Sequence, residues 1–355
     1  VTSKNSKGRA ARAALAALAL AAPLLVSCSS APPKPTQLVA KRNQAAQYAE
    51  IGNGYFAERQ LDTALSFYQM ALEIAISVDY PEGKAQSYGS IGRVYMEARD
   101  FAKAELAFQQ GLKASEESGE GWMVAMAKVN LGELRLLQGR RAEALAEYEA
   151  ALPLIAGRER DAKEGARKAS ALVYHGYASA LKLVNDASEA PSAEVYDKAI
   201  AHFEKAMAIN KEEPLFAEYA ANAFMIASIR MRKARMAIAA SDPKARDAEL
   251  AKAEEALKLA LEYDRKAENP GGIAKDYAAL AGLRALADPS DLRGAYDALS
   301  RAYDIYLTTN YGRELLSILP RLIELAEGLG LVDDAARYVT AQRTLQERLS
   351  GAAGE

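Results

Sequence analysis

Few side chains in this sequence could carry out chemistry, and they are not gathered together. Cys28 is the only cysteine, so an internal disulfide is ruled out. His175 and His202 are the only groups expected to titrate near neutral pH. His175 precedes Gly176 where comparable segments carry Ile or Leu, which predicts a packed, hydrogen-bonded side chain. His202 precedes Phe203 and is expected to be partly exposed. A metal centre needs several His, Cys, Asp or Glu at ligand spacing, and no such set is legible. There is no G-x-S-x-G elbow, and the glycine pairs in "IGNG" and "NPGG" lack the strand that leads into a phosphate loop. The expectation is a chain with no catalytic residue, cofactor or metal. A hydrolase in the C-terminal part would require clustered carboxylates or a buried His–Ser contact.

The surroundings of Cys28 say more than its number. Lys4, Lys7, Arg9 and Arg12 precede the apolar run "AALAALALAAPLLV", which has the length of a signal-peptide core and is short for a membrane span. It ends in "LVSC", Leu25 to Cys28, followed by "SSAPPKPT". This ending resembles the lipobox of bacterial lipoproteins: an aliphatic residue three before the cysteine, then small residues, then the thiol. The resemblance implies that residues 1–27 are a lipoprotein signal peptide. It also implies that Cys28 is acylated, and that anchoring uses more than one chain, as stable attachment requires. The alternative is a cleavable secretory signal with an incidental cysteine. Val1 is expected from a GTG start, a bacterial habit, and Ser29 stands where aspartate would mark inner-membrane retention in enterobacteria. The expected location is therefore the outer membrane, facing the periplasm. Pro32, Pro33 and Pro35 cannot continue a helix, so residues 28–42 are expected to form an extended tether.

The elements that would position any site are helical. Half of the 355 residues are hydrophobic, alanine is abundant, and no stretch alternates in the manner of a strand. The expected fold class is all-α. The net charge is −2, with acids and bases interleaved. This provides no basic face for nucleic acid.

The helical part repeats. "AEIGNGYF", "GSIGRVYM" and "VNLGELRL" place Gly52, Gly92 and Gly132 forty residues apart, and "VYHGYASA" adds Gly176. After the first three glycines come Ala64, Ala104 and Ala144, then Tyr68, Phe108 and Tyr148, then Ala71, Gly111 and Ala151. A glycine inside a helix costs about 1 kcal/mol relative to alanine. Its use here must be close approach: the glycine and the first alanine admit the second helix, and the last small residue is expected to admit the next repeat. Later copies give Ala199, Phe203, Ala206; Ala253, Leu257, Ala260; and Ala295, Leu299, Ala302. A loop insertion around "NDASEAPSAE" is expected in the fourth. A seventh, weaker pair reads as a terminal cap. Pro81, Pro191, Pro214, Pro243, Pro270 and Pro289 fall at inter-helix breaks. Pro153 should kink or end its helix, and Pro320 should delay the start of the seventh first helix.

This pattern resembles the tetratricopeptide repeat (TPR) over residues 43–349, and the implied fold is a right-handed α-solenoid of about seven helix pairs. The usual period is about 34 residues. The longer spacing here resembles the repeats of kinesin light chains, LGN-type adaptors and Rap-type bacterial regulators, which mostly bind extended peptides or helices. That resemblance implies a groove lined by the first helix of each pair. One residue past the glycines stand Asn53, Arg93, Glu133 and Tyr177, and Asn130 lies where such adaptors hold a peptide backbone. These five are the expected partner-binding residues. Trp122 is expected to pack between repeats. The implied function is a lipid-anchored periplasmic scaffold that docks a protein or peptide of an envelope assembly, secretion or pilus system. The alternative is a transport accessory of the TRAP-associated TPR type, which partners a solute-binding protein or holds a small apolar ligand.

Overall fold

The alanine-rich stretches and their proline and glycine punctuation become fourteen helices in the computed structural model, which describes residues 37–161, 163–212 and 215–351. They form seven antiparallel pairs. α1 (Gln37–Ala57) pairs with α2 (Leu61–Ser77), α3 (Pro81–Glu97) with α4 (Phe101–Ser118), and α5 (Gly121–Leu137) with α6 (Arg141–Ile155). α7 (Glu164–Asp186) pairs with α8 (Ala193–Glu212), and α9 (Phe216–Ala239) with α10 (Pro243–Lys266). α11 (Pro270–Ala287) pairs with α12 (Leu292–Thr308), and α13 (Gly312–Gly328) with α14 (Val332–Gly351). No strand occurs among the described residues.

Helix starts follow from residue chemistry. Pro81, Pro243 and Pro270 are first residues, where the missing N–H would lack a partner anyway. Asp100, Asp242, Asn269 and Asp291 cap α4, α10, α11 and α12 by accepting a backbone N–H three residues on. Three expectations change. α1 begins at Gln37, so the last six residues of the expected tether are helical; after Pro35, nothing in "QLVAKR" breaks a helix. α13 runs unbroken through Pro320, because Leu315, Leu319, Leu322 and Leu325 on the same helix are buried and hold it. Around the expected insertion, α7 and α8 extend inward until only residues 187–192 remain between them. Asn185 clips that loop by donating to the Ser192 carbonyl at 2.8 Å and accepting from its N–H at 2.9 Å. Pro153 lies in the last turn of α6, which ends at Ile155. Cys28 and Pro214 lie outside the described residues.

Packing explains the glycines. A Cβ on Gly52, Gly92 or Gly132 would lie 2.7, 2.3 or 2.7 Å from the ring of Tyr68, Phe108 or Tyr148, respectively. Each glycine is thus the seat of the aromatic ring of its own repeat, and those rings are fully buried. Gly111 acts differently from expectation: its Cβ would meet Tyr88 Cβ, the Ala85 carbonyl and the Gly89 nitrogen at 3.4–3.6 Å. All three belong to α3, so the last small residue tightens its own pair rather than admitting the next. The apolar core is a chain of clusters between neighbouring pairs, as a solenoid requires. Each helix packs on its chain neighbours, and successive odd-numbered helices from α1 to α11 also touch. Odd-numbered helices therefore line the tighter, inner side.

Candidate functional site

Three recesses follow one another along this inner face. The first, of about 290 Å³, lies between α1, α3 and α5 and is lined by Asn53, Gln86, Ser90, Arg93, Met126 and Asn130. Gly89 makes room for Asn130: a Cβ there would come 3.3 Å from its Nδ2. Among the described residues, the Asn130 side chain has no hydrogen-bond partner. Among the described residues Arg93 has no carboxylate partner; it donates to Ser90 Oγ at 3.3 Å and lies 5.8 Å from the centre of the Phe56 ring. Glu133, one helical turn from Asn130, is half-buried and has no salt bridge among the described residues. Burial raises its carboxyl above the usual range, and the Arg93 charge opposes this. An arginine, an amide and a carboxylate with unused capacity thus face one groove.

Two members of the expected ladder differ. Asn53 lines the first recess, but its Oδ1 already accepts from the Tyr68 hydroxyl at 2.8 Å, so part of its capacity is used within the repeat. Tyr177 does not line the groove. It is 1% exposed, donates to Glu149 Oε1 at 3.3 Å and meets the His202 ring edge-on at 4.9 Å. The cause is the seating of α7. A Cβ on Gly176 would fall 2.2 Å from Tyr148, the ring of the preceding repeat, so the next residue turns toward α6 and α8. His175 takes the groove position instead.

The second recess, of about 430 Å³, is lined by Glu133, Lys168, Leu172, His175, Glu218 and Asn222. His175 Nδ1 lies 2.9 Å from Asn222 Oδ1, and burial lowers its basicity. The third recess, of about 320 Å³, shares Ala221 with the second and lies between α9, α11 and α13. Asp264 and Asp276 line it. Sequence reasoning passed over both. One signal was present: Asp264 occupies the last turn of α10, where the helix dipole disfavours an acid.

His202 is half-buried beside Tyr174 and Tyr177, and its Nδ1 is buried without a partner. Burial, with Lys205 and Lys198 nearby, pushes its pKa down to about 4. Trp122 spans a repeat boundary, since a Cβ on Gly165 of α7 would fall 2.8 Å from its ring. Among the described residues, no group of three or more His, Cys, Asp or Glu is placed to hold a metal ion, and no helix is long and apolar enough to cross a membrane.

The tetratricopeptide repeat family model matches residues 44–117. A comparison with curated proteins finds no match. Among solved structures, the apo form of RapI aligns with a TM-score of 0.56 at 13% identity, over 87% of this chain and 99% of that one. The apo quorum sensor NprR from B. thuringiensis aligns at 0.56 and 15%, over 86% and 77%. A Rap protein complexed with Competence and Sporulation Factor aligns at 0.55 and 15%, over 89% and 78%. At these identities the likeness is one of fold: the chain is an all-helical solenoid that contains tetratricopeptide repeats.

Proposed function

We propose that the inner groove docks an extended segment of a partner protein, and that the chain serves as a scaffold rather than an enzyme. The observation that carries this reading is the set formed by Arg93, Asn130 and Glu133, whose hydrogen-bonding capacity is largely unused within the chain. An asparagine amide can donate to and accept from a peptide backbone, while a cation and an anion along one groove fix direction and register. Two of the similar structures hold a factor or peptide, Competence and Sporulation Factor in one and a Phr* peptide in the other, which supports the same use of the fold. The lipobox-like "LVSC" supports extending this proposal to a scaffold of the bacterial envelope, tethered through Cys28 and facing the periplasm from the outer membrane. Its partner there would belong to an assembly, secretion or pilus system.

A second reading, a transport accessory that holds a small ligand, rests on the second recess. It is the largest of the three and has Ala171, Leu172 and Leu215 on its walls. The test is in-cell crosslinking and capture of the full chain, beside Arg93→Glu with Asn130→Ala and beside Cys28→Ser. The scaffold reading expects one envelope protein enriched by the wild type and lost in the folded double variant. It also expects palmitate labelling and membrane fractionation lost in Cys28→Ser. Unchanged partners in the double variant would remove the groove from the account. Labelling that survives Cys28→Ser would remove the anchor.

A further inference from the structure

The third recess contains an electrostatic arrangement that folding alone does not explain. Asp276 on α11 is 1% exposed, and among the described residues neither of its buried carboxylate oxygens has a hydrogen-bond partner outside the acid pair. Beside it Asp264, at 4% exposure, accepts from Asn269 Nδ2 at 2.8 Å. Two buried acids in one recess repel each other, and each bears a desolvation cost. Burial first, and then the Asp264 charge, push Asp276 up to about 8. Asp276 therefore carries a proton near pH 7. The other ionisable or polar groups lining the recess are Lys275 on α11, Glu314 on α13, Tyr306 on α12, Tyr311 and Asn269. Lys275 is the one base against three acids, and its ammonium is engaged 4.2 Å over the Phe224 ring.

Glycines let the start of α11 pack closely against the walls of the recess. A Cβ on Gly272 would lie 2.3 Å from Asp264 Oδ2, and one on Gly271 would lie 3.0 Å from the Tyr311 hydroxyl. Phe224, Tyr306 and Tyr311 give the recess aromatic walls. A buried anion pair within an aromatic enclosure suits an organic cation, held by charge-assisted hydrogen bonds and by the rings. At about 320 Å³ the space is far larger than one metal ion.

We propose that the third recess is a socket for one organic cation, the guanidinium or ammonium group of a peptide segment lying in the groove, with Asp276 and Asp264 as its counter-ions. This rests on the reading of the inner face as a peptide-docking surface. When the cation enters, the Asp276 proton leaves to solvent and its carboxylate becomes charged, so the site exchanges one positive charge for another.

The test is calorimetric titration of the full chain at pH 7 in two buffers of different ionisation enthalpy. N-acetyl-arginine amide and N-acetyl-lysine amide are the cationic probes, and N-acetyl-citrulline amide is the uncharged isostere. The expected result is saturable binding of at least one cation and none of citrulline, with release approaching one proton per cation bound. Asp276→Asn should weaken that binding at least tenfold while circular dichroism is unchanged; Asp264→Asn serves as the second variant if the first does not fold. Equal binding of citrulline, unchanged affinity in a folded variant, or no saturable binding of either cation would overturn the socket. Saturation by magnesium chloride in place of the organic cations would do the same. These probes need no partner, so their failure removes the socket alone. The docking reading stands or falls by capture at the Arg93 end.

Discussion

The first three pairs and the fifth solve the same packing problem with different side chains. In the early pairs a large ring is buried and the facing helix gives way with a glycine, as Gly92 does for Phe108. In the fifth pair the ring is replaced by Leu257, and Ala227 and Ala234 face it in one apolar cluster. No glycine is needed there, because a leucine does not demand the space of a ring. The groove changes as well. The early part exposes single, separated polar groups, whereas the late part buries two acids against each other. A regular repeat with spare donors is suited to holding backbone, and the irregular end is suited to recognising one charged group.

The sharpest way to break this comparison is at the junction between the halves, where Tyr148 is wedged between Gly132 and Gly176. Overpacking costs about 1–3 kcal/mol, against about 1 kcal/mol of helix propensity gained by alanine. Because Tyr148 is held from both sides, Gly176→Ala should lower stability by up to about 2 kcal/mol in urea unfolding. Tyr148→Leu in that background should recover part of the loss. Gly52→Ala should cost less, since Tyr68 packs in the first pair, whose helix can shift.

The acid pair predicts a pH dependence of stability, because two buried carboxyls face each other there. The folded value for Asp276, about 8, lies above the ordinary carboxylate value of about 3.9. The folded chain therefore binds more protons between those values, and stability falls as pH rises through that window, by at most about 1.4 kcal/mol per pH unit. His202 acts oppositely. Its folded value of about 4 lies below the ordinary value of about 6.5, so it adds stability as pH rises through that lower range. The net expectation is a shallow profile up to about pH 6.5 and a decline towards pH 8. The decline should vanish in Asp276→Asn; persistence there would mean that another group titrates.

Smaller effects compare equivalent positions in neighbouring repeats. Asp100 caps α4, whereas Gln60 and Arg140 precede α2 and α6 without a capping side chain. Asp100→Ala should lower the stability by about 1 kcal/mol, and Gln60→Asp should raise it by somewhat less. One residue earlier, Arg59 and Arg99 adopt φ of 61° where Gly139 adopts 76°. Relief of the Cβ strain is partly offset by the entropy of glycine, so Arg99→Gly should stabilise by about 0.5 kcal/mol in thermal melts.

The fold was legible because glycine, alanine and aromatic positions recur at fixed spacing, and that spacing is the packing itself. The groove positions of Arg93 and Glu133 were legible for the same reason, each one position past a repeated glycine, whereas Asn130 was placed there by the family resemblance. Tyr177 was misplaced because the seating of its helix depends on Tyr148 of the preceding pair, a tertiary contact that no local spacing reports. The Asp264–Asp276 pair was missed because its members stand on different helices and meet only across the turn between α10 and α11. Read alone, Asp276 in "IAKDYAAL" is one polar residue on a helix.

The central claim is that partners bind the inner face. It is tested most directly by placing a photo-crosslinking amino acid at Gln86 or Met126, both in the first recess, and at Leu106 on α4, which is 60% exposed outside it. The account predicts partner adducts from the two inner positions after irradiation of cells and none from Leu106. Adducts from Leu106, with none from the inner positions, would contradict it.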